Sequence, residues 1–526
     1  MQLSDFNPTQ NTASLKAGEN LTAKDLAEVD GHTGKAFRVR VGNFAAVGNV
    51  DYGTAQSSAA TGRIVTQTSV VASQSAAYAK QAVVMDDYGN IFTLTDAAAG
   101  AGWRLSKFAP SGALINYVDI STSTGRANHH LILLSNGNLA CVVYTVGAIT
   151  YAVYDSNLGI VSASANVANA ANGNFSACAL SGGGFAVLYQ QNSNPLLSCL
   201  KTYDNSGTNT LAETTVWTRT GTTGTQYHRV LQLSSGNLAV AISSNNTVSS
   251  IGLYYAVIST AGAIVQAFTS LDTTGSMAWY PNLAVMTGYF AVGMANGTNQ
   301  KAYIFDNTGA QQGSSFSAAT TSGGASNKTK IVSDGTAFWL IWHRSSDSKC
   351  CTSKLPTNGT GYTTIITTTA TTQYNFFLDA FYDNGLICAI SMTSTNTAPT
   401  IWVISIATGN LIDSAETTIG VEPGTTGGSY PRIIAGTDRA FIALYDYATT
   451  AGTMLCVGKY AKTAVIGVVQ ANAVADASVR MYFQAGSYET NAILGVSSGF
   501  DHSANSLAGN KGSIFQYGAT LRGIGA

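Results

Sequence analysis

The sequence predicts an all-β chain: an eight-bladed β-propeller, closed by an N-terminal strand and inserted in a small discontinuous β-sandwich or barrel module. Three observations predict it. A strand–turn–strand unit recurs eight times at intervals that average 50 residues, the spacing of propeller blades. The eighth copy lacks a final strand, and a spare strand stands upstream of the first. Helix signals are almost absent, and the flanking segments are too short to be domains in their own right.

In chain order, residues 1–18 are polar and read as an arm ordered by assembly. Residues 19–62 alternate apolar and polar positions around short turns, as strands do. "RIVTQTSVV" (63–71) is the spare strand. The copies follow, opening "KQAVVMDDYGNIFTLT" at Lys80, "HHLILLSNGNLACVVY" at His129, "FSACALSGGGFAVLYQ" at Phe175, "HRVLQLSSGNLAVAIS" at His228, "YPNLAVMTGYFAVGMA" at Tyr280, "NKTKIVSDGTAFWLIW" at Asn327, "FFLDAFYDNGLICAIS" at Phe376 and "YPRIIAGTDRAFIALY" at Tyr430. Each is two apolar strands around a Gly, Asn, Asp or Ser turn. A third strand and a turn come next, as in "YAVYDSNLG" (151–159) and "YIFDNTG" (303–309). A more polar fourth strand ends the unit, as in "IVSASANVA" (160–168) and "LIDSAETTI" (411–419).

The eighth copy stops after "TMLCVGKYAKT" (453–463) with three strands. Residues 63–71 precede Lys80 by about the step that separates other fourth strands from the next copy, so they supply the missing outer strand. Closing the ring this way removes free sheet edges. The propeller spans 63–463. Residues 19–62 and 464–526 are left as one discontinuous β module, and "LAGNKGSIFQYGATLRGIGA" (507–526) is its final strand or an arm onto a neighbour.

Composition narrows the function. Only 10% of residues are charged, against about 25% in ordinary proteins, but 45% are apolar and 10% aromatic, enough for a packed core. The net charge of −1 and the lack of a basic run argue against nucleic acid. The N-terminus has no basic start and apolar core of a secretory signal. No apolar run approaches the roughly 20 residues of a membrane helix, so no membrane insertion is expected. The seven cysteines form no framework and mostly sit in strand patterns, as buried reduced thiols do; even Cys350 and Cys351 point to opposite faces of a strand.

Chemistry is scarce. There is no P-loop, His-Glu-x-x-His or calcium loop. "DDYGN" (86–90) and "DNTG" (306–309) read as β-turns with Asp as backbone acceptor, and Asp86-Asp87 offers too few ligands for calcium. His129-His130 is the one histidine cluster, and His129 and His228 stand two copies apart, so no metal site and no cofactor is expected. Asp379 lies in an inner strand and can face the channel, but a lone acid is not an acid–base pair. The chain is therefore expected not to be an enzyme.

The residues that open the copies are expected to ring one mouth of the channel: Lys80, His129, Phe175, His228, Tyr280, Asn327, Phe376 and Tyr430. Six of these eight are aromatic or His. His129, His228, Tyr280, Phe376 and Tyr430, with Trp279 in an adjoining loop, are the candidate ligand-binding set, because flat rings with polar tips suit sugar faces. The alternative is that the rings wedge between blades as a seam, which is the commoner use of such positions. The interblade loops, such as "TSTGRAN" (122–128) and "TTGSMAW" (273–279), are then the recognition surface.

The flanks carry a resemblance. "LKAGENLTAKDLAEVDGHTGKAFRV" resembles the opening of small β modules in fibre and capsid-associated proteins of tailed bacteriophages, and "AVIGVVQANAVADASVRMYFQAG" resembles their second half. The match covers about 50 residues of small-residue pattern; Ala27 and Ala475-Asp476 depart from it. It implies a structural virion protein of the tail-fibre or head-fibre, receptor-binding type, with the module docked on the particle and the propeller displayed for host attachment. Its implied partners are other virion proteins, further copies of itself (a trimer favoured) and a host-surface glycan. Two alternatives remain: a glycan-active propeller enzyme such as a depolymerase or lyase, and a bacterial surface lectin or adhesin.

Overall fold

The computed structural model describes residues 82–96, 102–110, 112–121, 128–145, 147–169, 171–191, 196–219, 225–245, 252–272, 281–296, 299–319, 329–344, 349–366, 376–383, 385–392, 400–406, 417–418, 431–436, 440–447 and 452–459, with strands at 12–16, 26–30, 36–38, 64–73, 463–469, 478–482, 513–517 and 520–524. Every regular element among them is a strand.

Eight four-stranded antiparallel sheets form the propeller, each a meander from an inner strand outward. Blade 4 is representative: Thr225–Gln232, Leu238–Asn245, Gly252–Ile258 and Ile264–Asp272. Blade 8 takes three strands from Arg432–Ala435, Ala440–Tyr447 and Gly452–Lys459, and its fourth from Ile64–Ser73. The register of that last pair runs from Lys459↔Ile64 to Gly452↔Ser73. The strand expected at 63–71 is thus the ring's closure. The inner strands neighbour one another all the way round, and those of blades 8 and 1 meet.

The core lies in the seams between blades. Eight apolar clusters fill eight seams, one for each neighbouring pair. Between blades 1 and 2, for example, Phe92, Leu94, Trp103 and Leu105 meet Leu131, Cys141, Val143 and Tyr154. The second strand is the most apolar because both its faces are covered: Leu139–Val143 and Phe185–Tyr189 are wholly buried. The fourth strand has one open face and stays polar, with Ile160–Asn169 largely exposed.

Turn chemistry fixes the ends of the strands. Asp155, Asp204 and Asp306 each accept the N–H groups two and four residues on through Oδ1, the Asx-turn anticipated from the sequence. Such turns also clasp the preceding blade. The Tyr151 hydroxyl donates to the Gly207 carbonyl at 2.6 Å, and Tyr255 does the same to Gly309 at 2.8 Å.

The segments before and after the propeller pair with each other. One five-stranded sheet runs Thr12–Lys16, Ser478–Tyr482, Thr463–Val469, Leu26–Asp30 and Ala36–Arg38, so N- and C-terminal strands interleave. Ser513–Tyr517 and Thr520–Ile524 form a separate hairpin.

Candidate functional site

Successive strand residues point to opposite faces, and this alternation decides what the inner strands offer the channel. His129 and His228 point backward, into the seam with the preceding blade. His129 is 3% exposed and packs on Trp103 of blade 1, ring centroids 4.4 Å apart. His228 is 1% exposed, with Nε2 3.0 Å from Ser198 Oγ of blade 3. The Ser198 hydroxyl also donates to Gln226 Oε1 at 2.9 Å. Burial pushes the His228 pKa down to about 3, so the ring is neutral. Phe175 is buried likewise.

These two histidines are therefore seam residues, and their expected place at a recognition mouth is corrected. One reason is strand length: the inner strands of blades 3 and 4 begin at Ala171 and Thr225, so Phe175 and His228 lie inside strands. Of the other candidates, Trp279, Tyr280 and Tyr430 lie outside the described residues. Phe376 opens the inner strand of blade 7, and its side chain is likewise outside them.

The residues that point forward, toward the next blade's inner strand, form the candidate site. Their register positions are equivalent: Ala82↔Leu94, His130↔Val142, Ser176↔Leu188, Arg229↔Ala241, Asn282↔Gly293, Lys330↔Ile341, Asp379↔Ile390 and Arg432↔Leu444. Seven of these eight are polar. An inner strand has a neighbour on one side only, so its free edge presents unpaired N–H and C=O groups to the channel. Several of these side chains satisfy that edge. Val230 N–H donates to Ser176 Oγ at 3.2 Å, and Ile433 N–H to Asp379 Oδ2 at 3.1 Å. The Asn282 amide donates to the Thr329 carbonyl. His130 Nε2 lies 3.3 Å from the Phe175 carbonyl, to which Asn128 also donates.

Three ionic members gather on blades 6 to 8. Lys330 Nζ is 2.6 Å from Asp379 Oδ1, and Arg432 Nε is 3.5 Å from Asp379 Oδ2. The Asp379 side chain is 6% exposed, but those of Lys330 and Arg432 are 24% and 44% exposed. A buried carboxylate thus holds two cations whose side chains keep part of their surface exposed. Burial opposes ionisation of Asp379, but Lys330, Arg432 and the Ile433 N–H outweigh it and hold its pKa below the usual carboxylate value. The Lys330 pKa is lowered, chiefly by burial; Asp379 opposes this, and Arg432 and Arg229 add to it. Neighbouring cations thus set the direction for Asp379, and burial sets it for Lys330.

At the opposite end, the turns of blades 1 to 4 border a concavity of about 860 Å³. Three acids, Asp86, Asp87 and Asp155, line it; Asp86 accepts the N–H groups of Tyr88 and Asn90 and the Asn90 side-chain amide, and Asp155 accepts those of Asn157 and Gly159, so both carboxylates serve their turns. Among the described residues no three His, Cys, Asp or Glu come together as metal ligands. Six cysteines, including Cys141, Cys178 and Cys456, are buried and free of disulfides; burial raises these three thiols, Cys178 to about 12.

No protein-family model and no curated protein matches the sequence. Solved propeller structures do resemble the chain. The Dos1 propeller aligns at 12% identity and TM-score 0.45, covering 74% of this chain and 93% of its own. An ulvan lyase bound to its saccharide aligns at 11% identity and TM-score 0.43, covering 76% and 97%. The dihydro-heme d1 dehydrogenase NirN aligns at 12% and 0.44, covering 80% and 78%. The expectation that the chain is not an enzyme is corrected by these structures, since lyases and a dehydrogenase are among them. The reason is physical: a chain poor in charge can still concentrate charge at one place, as Lys330, Asp379 and Arg432 do.

Proposed function

We propose that this chain is a carbohydrate-binding β-propeller carried on a tailed-bacteriophage particle, with the channel as the seat of recognition. The observation that carries the reading is the polar ring at one level of the inner strands. Ser176, Asn282 and Asp379 serve backbone groups of the next inner strand, and burying polar groups costs free energy unless they are paired. Seven of eight equivalent positions are polar nonetheless, and Lys330 and Arg432 keep part of their surface open to the lumen. Hydroxyl-rich ligands are held by a few convergent polar groups of this kind. The particle half of the reading is supported by the interleaving of N- and C-terminal strands in one sheet and by the resemblance of those segments to virion modules.

The test is an array of host-surface polysaccharides probed with the full-length chain, alongside labelling of intact particles with antibody against it. Binding to a defined glycan and labelling of particles are expected. No binding to any glycan would end the carbohydrate reading, and unlabelled particles the virion one. The same incubation is read for new reducing ends or unsaturated sugars, whose appearance would make the chain a glycan-active enzyme.

A further inference from the structure

The reading above leaves the class of sugar open, and the charges of the ring address it. Lys330, Asp379 and Arg432 sum to one positive charge. Arg229 of blade 4 adds to the positive field felt by Lys330. The one carboxylate is turned into the wall, where Ile433 N–H and both cations hold it. What faces the lumen is the cationic side of the cluster. An ion network serving stability alone has no need of a second cation on the same carboxylate, because buried pairs stabilise little or nothing relative to apolar packing. A guanidinium and an ammonium side by side are a cradle for an oxyanion: the planar fork can take it through two parallel hydrogen bonds, and the ammonium adds a point charge.

We infer that Lys330 and Arg432, braced by Asp379, bind the acidic group of a polysaccharide, a uronate carboxylate or a sugar sulfate, in the propeller channel. Nucleic acid shares the charge but not the setting. Its backbone needs a basic stripe along an open surface, and this cluster sits on inner strands of a chain whose net charge is −1. The inference rests on the carbohydrate reading, and the experiment separates the two.

Full-length protein is titrated calorimetrically with three oligosaccharides: hexameric galacturonate, a sulfated galactan hexamer and neutral maltohexaose. Binding of one acidic oligomer at least tenfold tighter than maltohexaose is expected, and whichever acidic oligomer binds identifies carboxylate or sulfate. The preference should shrink as salt rises. The pair Lys330→Gln and Arg432→Gln should remove it, and Arg432→Lys, which keeps the charge, should retain part of it. Should the double variant not fold, Arg432→Gln alone serves, because that side chain is 44% exposed; a tenfold loss of acidic preference is expected of it too. No acidic preference in the wild type, or an unchanged one in folded variants, overturns the cradle. Equal binding of neutral and acidic oligomers would leave the carbohydrate reading standing without the cradle. If no oligosaccharide binds, but inorganic sulfate raises the thermal midpoint of the wild type and not of Arg432→Gln, the cradle stands and the carbohydrate reading falls.

Discussion

Replacing Asp379 tests whether the ring is an electrostatic unit. In Asp379→Ala the Ile433 N–H loses the acceptor at 3.1 Å, and an unsatisfied buried donor costs about 1–3 kcal/mol. Lys330 loses the carboxylate at 2.6 Å, and breaking a buried pair costs about 3–5 kcal/mol. Lys330 is 24% exposed and can turn to water, which brings the sum to the lower end, about 4 kcal/mol in all. Asp379→Asn keeps an acceptor for Ile433 and loses only the charge, so about 1–2 kcal/mol is expected. Urea unfolding followed by tryptophan fluorescence gives the differences. The pH dependence supplies a second readout. Because the folded-state pKa of Asp379 lies below its ordinary value, its contribution is present above about pH 3.9 and is lost as pH falls through the folded pKa. The stabilities of wild type and Asp379→Asn should therefore converge only in that acid range. An Asp379→Ala variant within about 0.5 kcal/mol of wild type would refute the reasoning.

Three further outcomes are expected. His228 has a folded pKa of about 3 against 6.5, so the unfolded state alone takes up this proton as pH falls. From pH 6.5 to 4.5 the wild type should lose about 2.3 kcal/mol on this account, because half of the unfolded-state rings are already protonated at pH 6.5 and the slope rises from there toward about 1.36 kcal/mol per pH unit. His228→Gln, compared by urea unfolding at both pH values, should lack that share. Prolines at Thr66 and Val70, in the strand that closes blade 8, should leave the Gly452–Lys459 edge unpaired. Light scattering should then show oligomers or aggregates in place of the wild-type species. At Gly184, with φ +85°, an added Cβ would lie 1.9 Å from the Tyr203 carbonyl oxygen, whereas at Gly137, with φ +84°, it would meet nothing within 4 Å. Gly184→Ala should cost at least about 3 kcal/mol and Gly137→Ala about 1–2 kcal/mol in chemical denaturation.

The propeller was legible because a blade is local. Four strands and three turns occupy about 50 consecutive residues, and the turn residues recur at fixed offsets. Closure was legible too, since a count of strands showed blade 8 short by one and residues 63–71 spare. The ring was not, although each of its members stands in plain view. His130, Ser176 and Arg229 each follow immediately after the residue marked as a copy's start, and one step along a strand exchanges its two faces. The aromatic character of His129 and His228 suits a seam as well as a sugar. A polar residue recurring at one position of an apolar strand was the available signal. Asp379 was noticed as an isolated acid. Its partners, Lys330 and Arg432, lie 49 and 53 residues away in sequence and meet it only because successive inner strands stand side by side. Charge poverty across the chain hid charge concentration at one site, which is why the exclusion of an enzyme failed.

The most direct test of the account is a structure of the full-length protein at saturating concentration of the acidic oligosaccharide it binds best. The account predicts an acidic group in the channel within hydrogen-bonding distance of Lys330 and Arg432, with Asp379 still behind them. Ligand bound elsewhere, with the channel cations untouched, would contradict it.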